Sequence, residues 1–317
     1  MKFHNYYKNL AKLEEDFSDL DPVDQFPDEI EILKIQYEVN YVILNNYFRA
    51  VLLINEISTR AYELTTDVLT ISATNYMAWY HRRLCIDKLN LDLEDELSWL
   101  DLIIADNQKN YQIWHHRKFI IEKSNNPSHE KEILGNIFDD EPKNFHAWSH
   151  RIWVVKRFGL YYGELDYVTK LLKKDCRNNS AWNYRFFLLS YHDQNDSFDF
   201  LKELEYVFSF ILNDVENESP YNYIRGIVDE PLINKEKLKL KELKTIKITC
   251  ENIIKNNECY HAYSLLLDFL LEDYADSQND EELGKKISDM FDKLAVIDFI
   301  RKKYWMWRKN AVFNISK

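Results

Sequence analysis

The sequence predicts an all-α protein, a right-handed α-α superhelix (solenoid) of helical-hairpin repeats. Three observations lead there. Tryptophans recur at Trp79, Trp114, Trp148 and Trp182, which are 35, 34 and 34 residues apart, each inside the same local pattern. Glycine and proline occur only 5 and 6 times in 317 residues, so a hairpin-rich β fold would lack the residues its turns need. Aromatic residues make up 15% of the chain and suit broad helix-packing surfaces. A period of about 34 residues means that each repeat is one supersecondary unit, able to bury its apolar face only against its neighbours.

Taken in order, residues 1–60 carry no copy of the pattern and serve as an N-terminal cap. The repeats occupy about 61–263, and 264–317 serves as the C-terminal cap, so that 1–317 reads as a single repeat domain. The copies are NYMAWYHRR (75–83), NYQIWHHRK (110–118), NFHAWSHRI (144–152) and NNSAWNYRF (178–186). A fifth, NESPYNYIRG (217–226), has Tyr221 in the tryptophan position, and a sixth, around 259–267, is weak. Each asparagine is placed to open a helix, because its side-chain oxygen can accept an unpaired N–H of the first turn. Upstream of each lies a second apolar pattern that ends in an acid: Asp106, Asp140 and Asp175. Two helices per repeat follow.

The formal charge of −12, from 53 acidic and 41 basic residues, opposes the field needed to neutralise phosphates, which argues against a nucleic-acid partner. The four cysteines show no metal-ligand spacing and are too sparse for a disulfide scaffold. The N-terminus has no continuous apolar run of the kind a secretory signal needs, and nothing approaches a membrane span of ~18 apolar residues. A soluble, cytoplasmic protein without membrane insertion is the expectation.

The periodic His81, His116 and His150 form a ladder about a helix diameter apart, so they do not converge on one ion and read as structural. Arg82, Arg117, Arg151 and Arg185 read as partners in pairs between repeats, with acids such as Asp106, Asp140 and Asp175 available. The lysine-rich KEKLKLKELKTIK (235–247) reads as a solvated helix face. What breaks the repeat symmetry is more informative. Lys109 and Lys143 stand just before Asn110 and Asn144, where other repeats have Thr74, Arg177 or Glu216. A cation beside helix N–H groups can hold a carboxylate or diphosphate, with Tyr111, Gln112, Phe145 and His146 in the adjoining first turns. The competing reading is a solvated loop lysine.

Together these residues resemble the α subunit of the CaaX protein prenyltransferases, the chain shared by protein farnesyltransferase and protein geranylgeranyltransferase type I. The likeness rests on residues 46–83, on KNYQIWHHRK and on KNFHAWSHRIWVV, with weaker matches at YWMWR (304–308) and DPVDQFPDE (21–29). It implies a crescent of hairpins around a separate β subunit, with zinc held by that subunit, magnesium accompanying the diphosphate, and no metal bound by this chain alone. The substrates implied are an isoprenoid diphosphate and CaaX-terminated proteins. It further implies that Lys109 assists diphosphate departure and that Gln112 contacts the peptide carboxylate. Tyr111, Asn144 and His146 would line the same region, while Phe145 replaces the family's tyrosine. The α subunit of Rab geranylgeranyltransferase is the near alternative, which Gln112 and His150 disfavour. A tetratricopeptide-like scaffold shares the period but lacks Trp-x-His-Arg.

Overall fold

The computed structural model describes residues 10–25, 35–192, 199–229, 240–277 and 280–313. Every regular element among them is helical, in keeping with the all-α repeat reading. The chain forms two compact units, Met1–Val154 and Val155–Lys317. In the first, α1 (Leu10–Asp16) and α2 (Val39–Leu53) precede the hairpins α3 (Thr59–Ile71) and α4 (Tyr76–Leu89), then α5 (Leu93–Asp106) and α6 (Tyr111–Ser124). Next come α7 (Glu130–Asp140) and α8 (Phe145–Phe158), and the unit boundary falls within α8. The second unit holds α9 (Glu164–Lys174) with α10 (Asn179–His192), α11 (Phe200–Asn213) with α12 (Glu218–Asp229), and α13 (Leu240–Asn256) with α14 (Tyr260–Asp276). Helix α15 (Glu281–Ile297), a 3-10 turn (Phe299–Arg301) and α16 (Lys302–Phe313) follow.

The asparagines open their helices as expected. The side-chain oxygen of Asn75 accepts the Ala78 N–H, that of Asn110 the Gln112 N–H, that of Asn144 the Ala147 N–H, and that of Asn217 the Ser219 N–H. Four residues on, each tryptophan ring is buried and donates its indole N–H to a carbonyl six residues back: Trp79 to Ala73, Trp114 to Gln108, Trp148 to Pro142 and Trp182 to Cys176. The next repeat's asparagine reaches the same carbonyl. Asn110 donates to the Ala73 oxygen at 2.7 Å, Asn144 to that of Gln108 at 3.4 Å, and Asn217 to that of Cys176 at 2.8 Å. One loop oxygen therefore fixes both the tryptophan beneath it and the cap of the next repeat.

The arginines are buried and paired, but their acids are not the ones at the helix ends. Arg82 pairs with Glu96, Arg117 with Glu130 and Arg185 with Glu203, all at or near the start of the following helix. An acid there also gains from the helix dipole, which Asp106 and Asp140, at C-terminal ends, would not. Each glutamate then takes a second donor from its own repeat: His116 on Glu96 at 2.7 Å, His150 on Glu130 at 2.6 Å, Tyr223 on Glu203 at 2.6 Å, and Tyr184 on Glu164. Burial alone would raise the Glu96 and Glu130 carboxyls. The histidine and arginine bonds overcome it and hold both at about 2. Burial likewise pushes His116 and His150 below the ordinary histidine value. Each is then neutral near pH 7 and gives its Nε2–H to the carboxylate.

Residues 26–29 of the DPVDQFPDE match and 235–239 of the lysine-rich run lie outside the described residues. Of the described part of that run, Lys247 pairs with Asp273.

Candidate functional site

The loops between paired helices share one turn. The amide of the capping asparagine bonds the carbonyl three residues back, Asn75 to Ser72, Asn110 to Asn107 and Asn144 to Glu141, each at 3.0 Å. Side chains at matching loop positions therefore emerge at the same end of successive hairpins. Between the 72–75, 107–110 and 141–144 loops of the first unit lies a cavity of about 640 Å³. Thr74, Tyr76, Asp106, Lys109, Tyr111, Gln112, Asp140 and Glu141 are among the residues that line it.

Lys109, the residue that broke the repeat symmetry, stands at this cavity with its side chain 75% exposed. Its ammonium is 2.5 Å from Glu141 Oε1, and the other carboxylate oxygen of Glu141 accepts the Asn144 amide at 3.1 Å. Lys109 first, and then Asn144, hold the Glu141 carboxyl below the usual carboxylate range. With Asp106 and Asp140 also present, three carboxylates face one ammonium. The expected anion site is thus counterbalanced in this chain, because Lys109 is held by an acid. An exposed pair of this kind is screened by solvent and contributes little, so an incoming anion can displace Glu141 at small cost.

Tyr111 and Gln112, the first residues of α6, line the same cavity. Asn144 and His146 do not. Asn144 is 3% exposed, and its amide group caps α8 while bonding Glu141 and the Gln108 carbonyl. It holds the site's walls together from behind. The His146 ring lies between two exposed aromatics, edge to face with Tyr111 at 4.3 Å and with Phe145 at 5.5 Å. Partial burial pushes its pKa down. Sequence reading missed Tyr76, Thr74 and Glu141. Tyr76, Tyr111 and Phe145 each occupy the first position of the second helix of a hairpin, a recurrence that could have marked them.

Among the described residues no group of three His, Cys, Asp or Glu side chains comes together to hold a metal ion, and no helix is long and apolar enough to cross a membrane. His116 and His150 are bonded to buried glutamates, as a structural ladder requires.

Stacked helical hairpins whose loops frame a cavity define a helical-repeat protein that presents loop side chains at one end of its hairpins. The sequence pattern narrows this. Residues 58–89, 93–124, 127–158 and 161–192 each match the protein prenyltransferase alpha subunit repeat. Four repeats of the chain are thus of the prenyltransferase α-subunit type. It is 34% identical over 94 residues to the protein farnesyltransferase/geranylgeranyltransferase type-1 subunit alpha of Solanum lycopersicum, and 38% identical over 95 residues to the Candida albicans protein of the same name. Each match covers 30% of this chain, and spans 27% and 31% of the relative respectively. A solved chain of Candida albicans protein geranylgeranyltransferase-I complexed with GGPP is similar throughout: TM-score 0.81, 28% identity, covering 97% of this chain and 99% of that one.

Proposed function

We propose that this chain is the α subunit of a heterodimeric CaaX protein prenyltransferase, active together with a β subunit. The reaction moves a farnesyl or geranylgeranyl group from its diphosphate to the cysteine thiol of a C-terminal CaaX motif. The observation that carries the reading is the convergence of Lys109, Tyr111 and Gln112 on one cavity at the start of α6. Likeness to relatives named for both enzymes, and to a protein geranylgeranyltransferase-I solved in complex with GGPP, supports it.

In the transfer, the cysteine sulfur attacks C1 of the isoprenoid while the C1–O bond breaks, and the bonding pair leaves with the diphosphate. The β subunit would supply the zinc that holds the sulfur as thiolate, with magnesium accompanying the diphosphate. This chain's part is electrostatic. Negative charge on the diphosphate grows as the C–O bond lengthens, and a cation placed where charge develops lowers the barrier more than it tightens binding. Lys109 is that cation. In the resting chain Glu141 holds it, and because the pair is solvent-exposed, Lys109 exchanges that partner for the leaving group with little loss. Gln112, two residues into the helix with its own N–H capped by Asn110, presents its amide to the peptide carboxylate.

The test is single-turnover kinetics on the assembled heterodimer carrying Lys109→Ala. The rate constant should fall ~10- to 1,000-fold, matching the loss of about 1.4–4 kcal/mol of transition-state stabilisation, while isoprenoid diphosphate affinity changes much less. An unchanged rate constant would overturn the assignment.

A further inference from the structure

The second unit departs from the repeat pattern at its fifth copy. In the four tryptophan repeats an arginine comes three residues after the ring and is buried. In the fifth, Ile224 holds that place in the interior and the arginine is Arg225, one position on. One residue is about 100° around a helix, so Arg225 turns away from the interior. Its place in the ladder stays open: Glu242, near the start of α13, has a buried carboxylate oxygen with no hydrogen-bond partner among the described residues.

Arg225 lines a cavity of about 580 Å³ between α12, α14 and α16. Its guanidinium gives Nε to Asp268 Oδ2 at 3.0 Å, Nη2 to Ser264 at 3.0 Å and Nη1 to Asn222 at 3.3 Å. Arg308 of α16 gives Nη2 to the other oxygen of the same carboxylate at 2.6 Å. Two guanidiniums, only 27% and 25% exposed, thus share one carboxylate, and the group carries one net positive charge. The other charges are placed apart from it. Glu218 lies near Tyr260 and His261, while Asp298 holds Arg301, whose guanidinium covers the Tyr260 ring at 4.7 Å. Asp229 and Glu272, one turn beyond Arg225 and Asp268 on their helices, are not among the lining residues.

The group also has donors to spare. An arginine carries five N–H donors, and the Nε and Nη1 of Arg308 have no partner among the described residues. The Ser264 hydroxyl accepts from Arg225 and keeps its own hydrogen to give. Tyr304, one turn before Arg308 and 45% exposed, offers another hydroxyl at the same cavity. Arginine and hydroxyl donors around a partly desolvated positive charge suit a group that only accepts, with three oxygens and close to two negative charges. That is a phosphate dianion. A carboxylate brings two oxygens and one charge, and leaves more of these donors unmet. The Tyr260 and Tyr304 rings wall a space much larger than one phosphate, so an organic body attached to it can also be held.

We propose that the cavity between α12, α14 and α16 binds a phosphate group, free or carried by a small organic molecule, anchored by Arg308, Arg225 and Ser264. The site lies within the second unit and is independent of the function proposed for the Lys109 cavity.

The full-length chain is titrated calorimetrically at pH 7.5 and constant ionic strength with inorganic phosphate and, separately, with phenyl phosphate. Wild type should bind phosphate with one site per chain, and Arg308→Gln and Arg225→Gln should each weaken it ~10-fold or more. Arg177→Gln removes an exposed arginine of the same unit that pairs with Asp214 away from the cavity, and it should bind as wild type does. Phosphate at ~20 mM should raise the melting temperature of wild type above that in NaCl of equal ionic strength, and should not do so in Arg308→Gln. Phenyl phosphate bound at least ~5-fold tighter than phosphate identifies a phosphorylated small molecule as the ligand, and equal or weaker binding identifies free phosphate. No saturable binding of either probe by ~20 mM would overturn the proposal. So would affinity within 2-fold of wild type in Arg308→Gln and Arg225→Gln, which places the anion elsewhere, or an equal loss in Arg177→Gln, which reports diffuse charge.

Discussion

A carboxylate buried between helices is tolerable only when its charge and lone pairs are met, and Glu130 shows how closely that is done here. Arg117 donates to it from both Nε and Nη2, and His150 from Nε2. Glu130→Ala leaves a buried guanidinium short of its counterion, so chemical denaturation should show a loss of about 3–5 kcal/mol, beyond the usual range for a single substitution. Gln112→Ala is the contrasting case, being partly exposed at a cavity wall. In the heterodimer it should raise KM for a CaaX peptide about 10-fold and leave isoprenoid diphosphate affinity near wild type, since an amide there addresses the peptide end; equal losses for both substrates would count against its role. These residues differed in how legible they were. Lys109 stands out in the sequence because it breaks a local repeat, whereas Gln112 is marked by the resemblance alone. Glu141 does not stand out, since its meeting with Lys109 depends on two loops 32 residues apart stacking in register. The acids opposite the arginines were misread for the same reason: the helix-ending aspartates are nearest in pattern, but the helix-starting glutamates are nearest in space.

Helix starts were legible because a capping asparagine and the tryptophan four residues on are a short-range signal with a local physical cause. What the pattern concealed is that both side chains bond one carbonyl of the preceding loop, so the cap also ties repeat to repeat. Helix ends were less legible. Asn90 and Asn125 take the left-handed conformation after α4 and α6, at φ of 51° and 50°, and Gly159 does so after α8 at 68°. Asparagine tolerates that region better than other side chains, which is how so few glycines suffice. The double duty of the caps makes a comparison possible within one unit. Asp199 caps α11 on the surface, accepting the Lys202 N–H, whereas Asn217 caps α12 from a buried position and also donates to the Cys176 carbonyl. Asp199→Ala should cost clearly less than Asn217→Ala, which should cost about 2–3 kcal/mol, because the second change also leaves a shared carbonyl with one donor fewer. Equal costs in urea unfolding would show that the link between repeats adds nothing to the cap.

At the scale of the chain, the glutamate ladder changes its second donor between the two units. In the first unit the donor is histidine, at 116 and 150; in the second it is tyrosine, at 184 and 223. Among the described residues the first unit holds three buried histidines, His81, His116 and His150, and the second holds His261. Burial pushes all four below the ordinary value of about 6.5. A histidine kept neutral in the native state supplies stability above pH ~6.5. That stability is lost as pH falls, since the unfolded chain takes up a proton that the native chain refuses; at pH 5 the loss is up to about 2 kcal/mol per histidine. Glu96 and Glu130, held at about 2, push the same way at lower pH. Their contribution is full above the unfolded value of about 4.3 and disappears toward pH 2. Tyrosine donors do not titrate in this range, as burial drives Tyr223 well above 10. Acid should therefore loosen the first unit before the second. Hydrogen exchange at pH 7.5 and pH 5.0, corrected for intrinsic rates, should show protection in α5–α7 dropping ~10-fold or more while α9–α11 lose far less. Replacing His116 and His150 by glutamine, which keeps an N–H donor and removes the titration, should erase most of that difference. Parallel loss of protection in both units, or an undiminished difference in the double variant, would place the acid sensitivity outside the ladder.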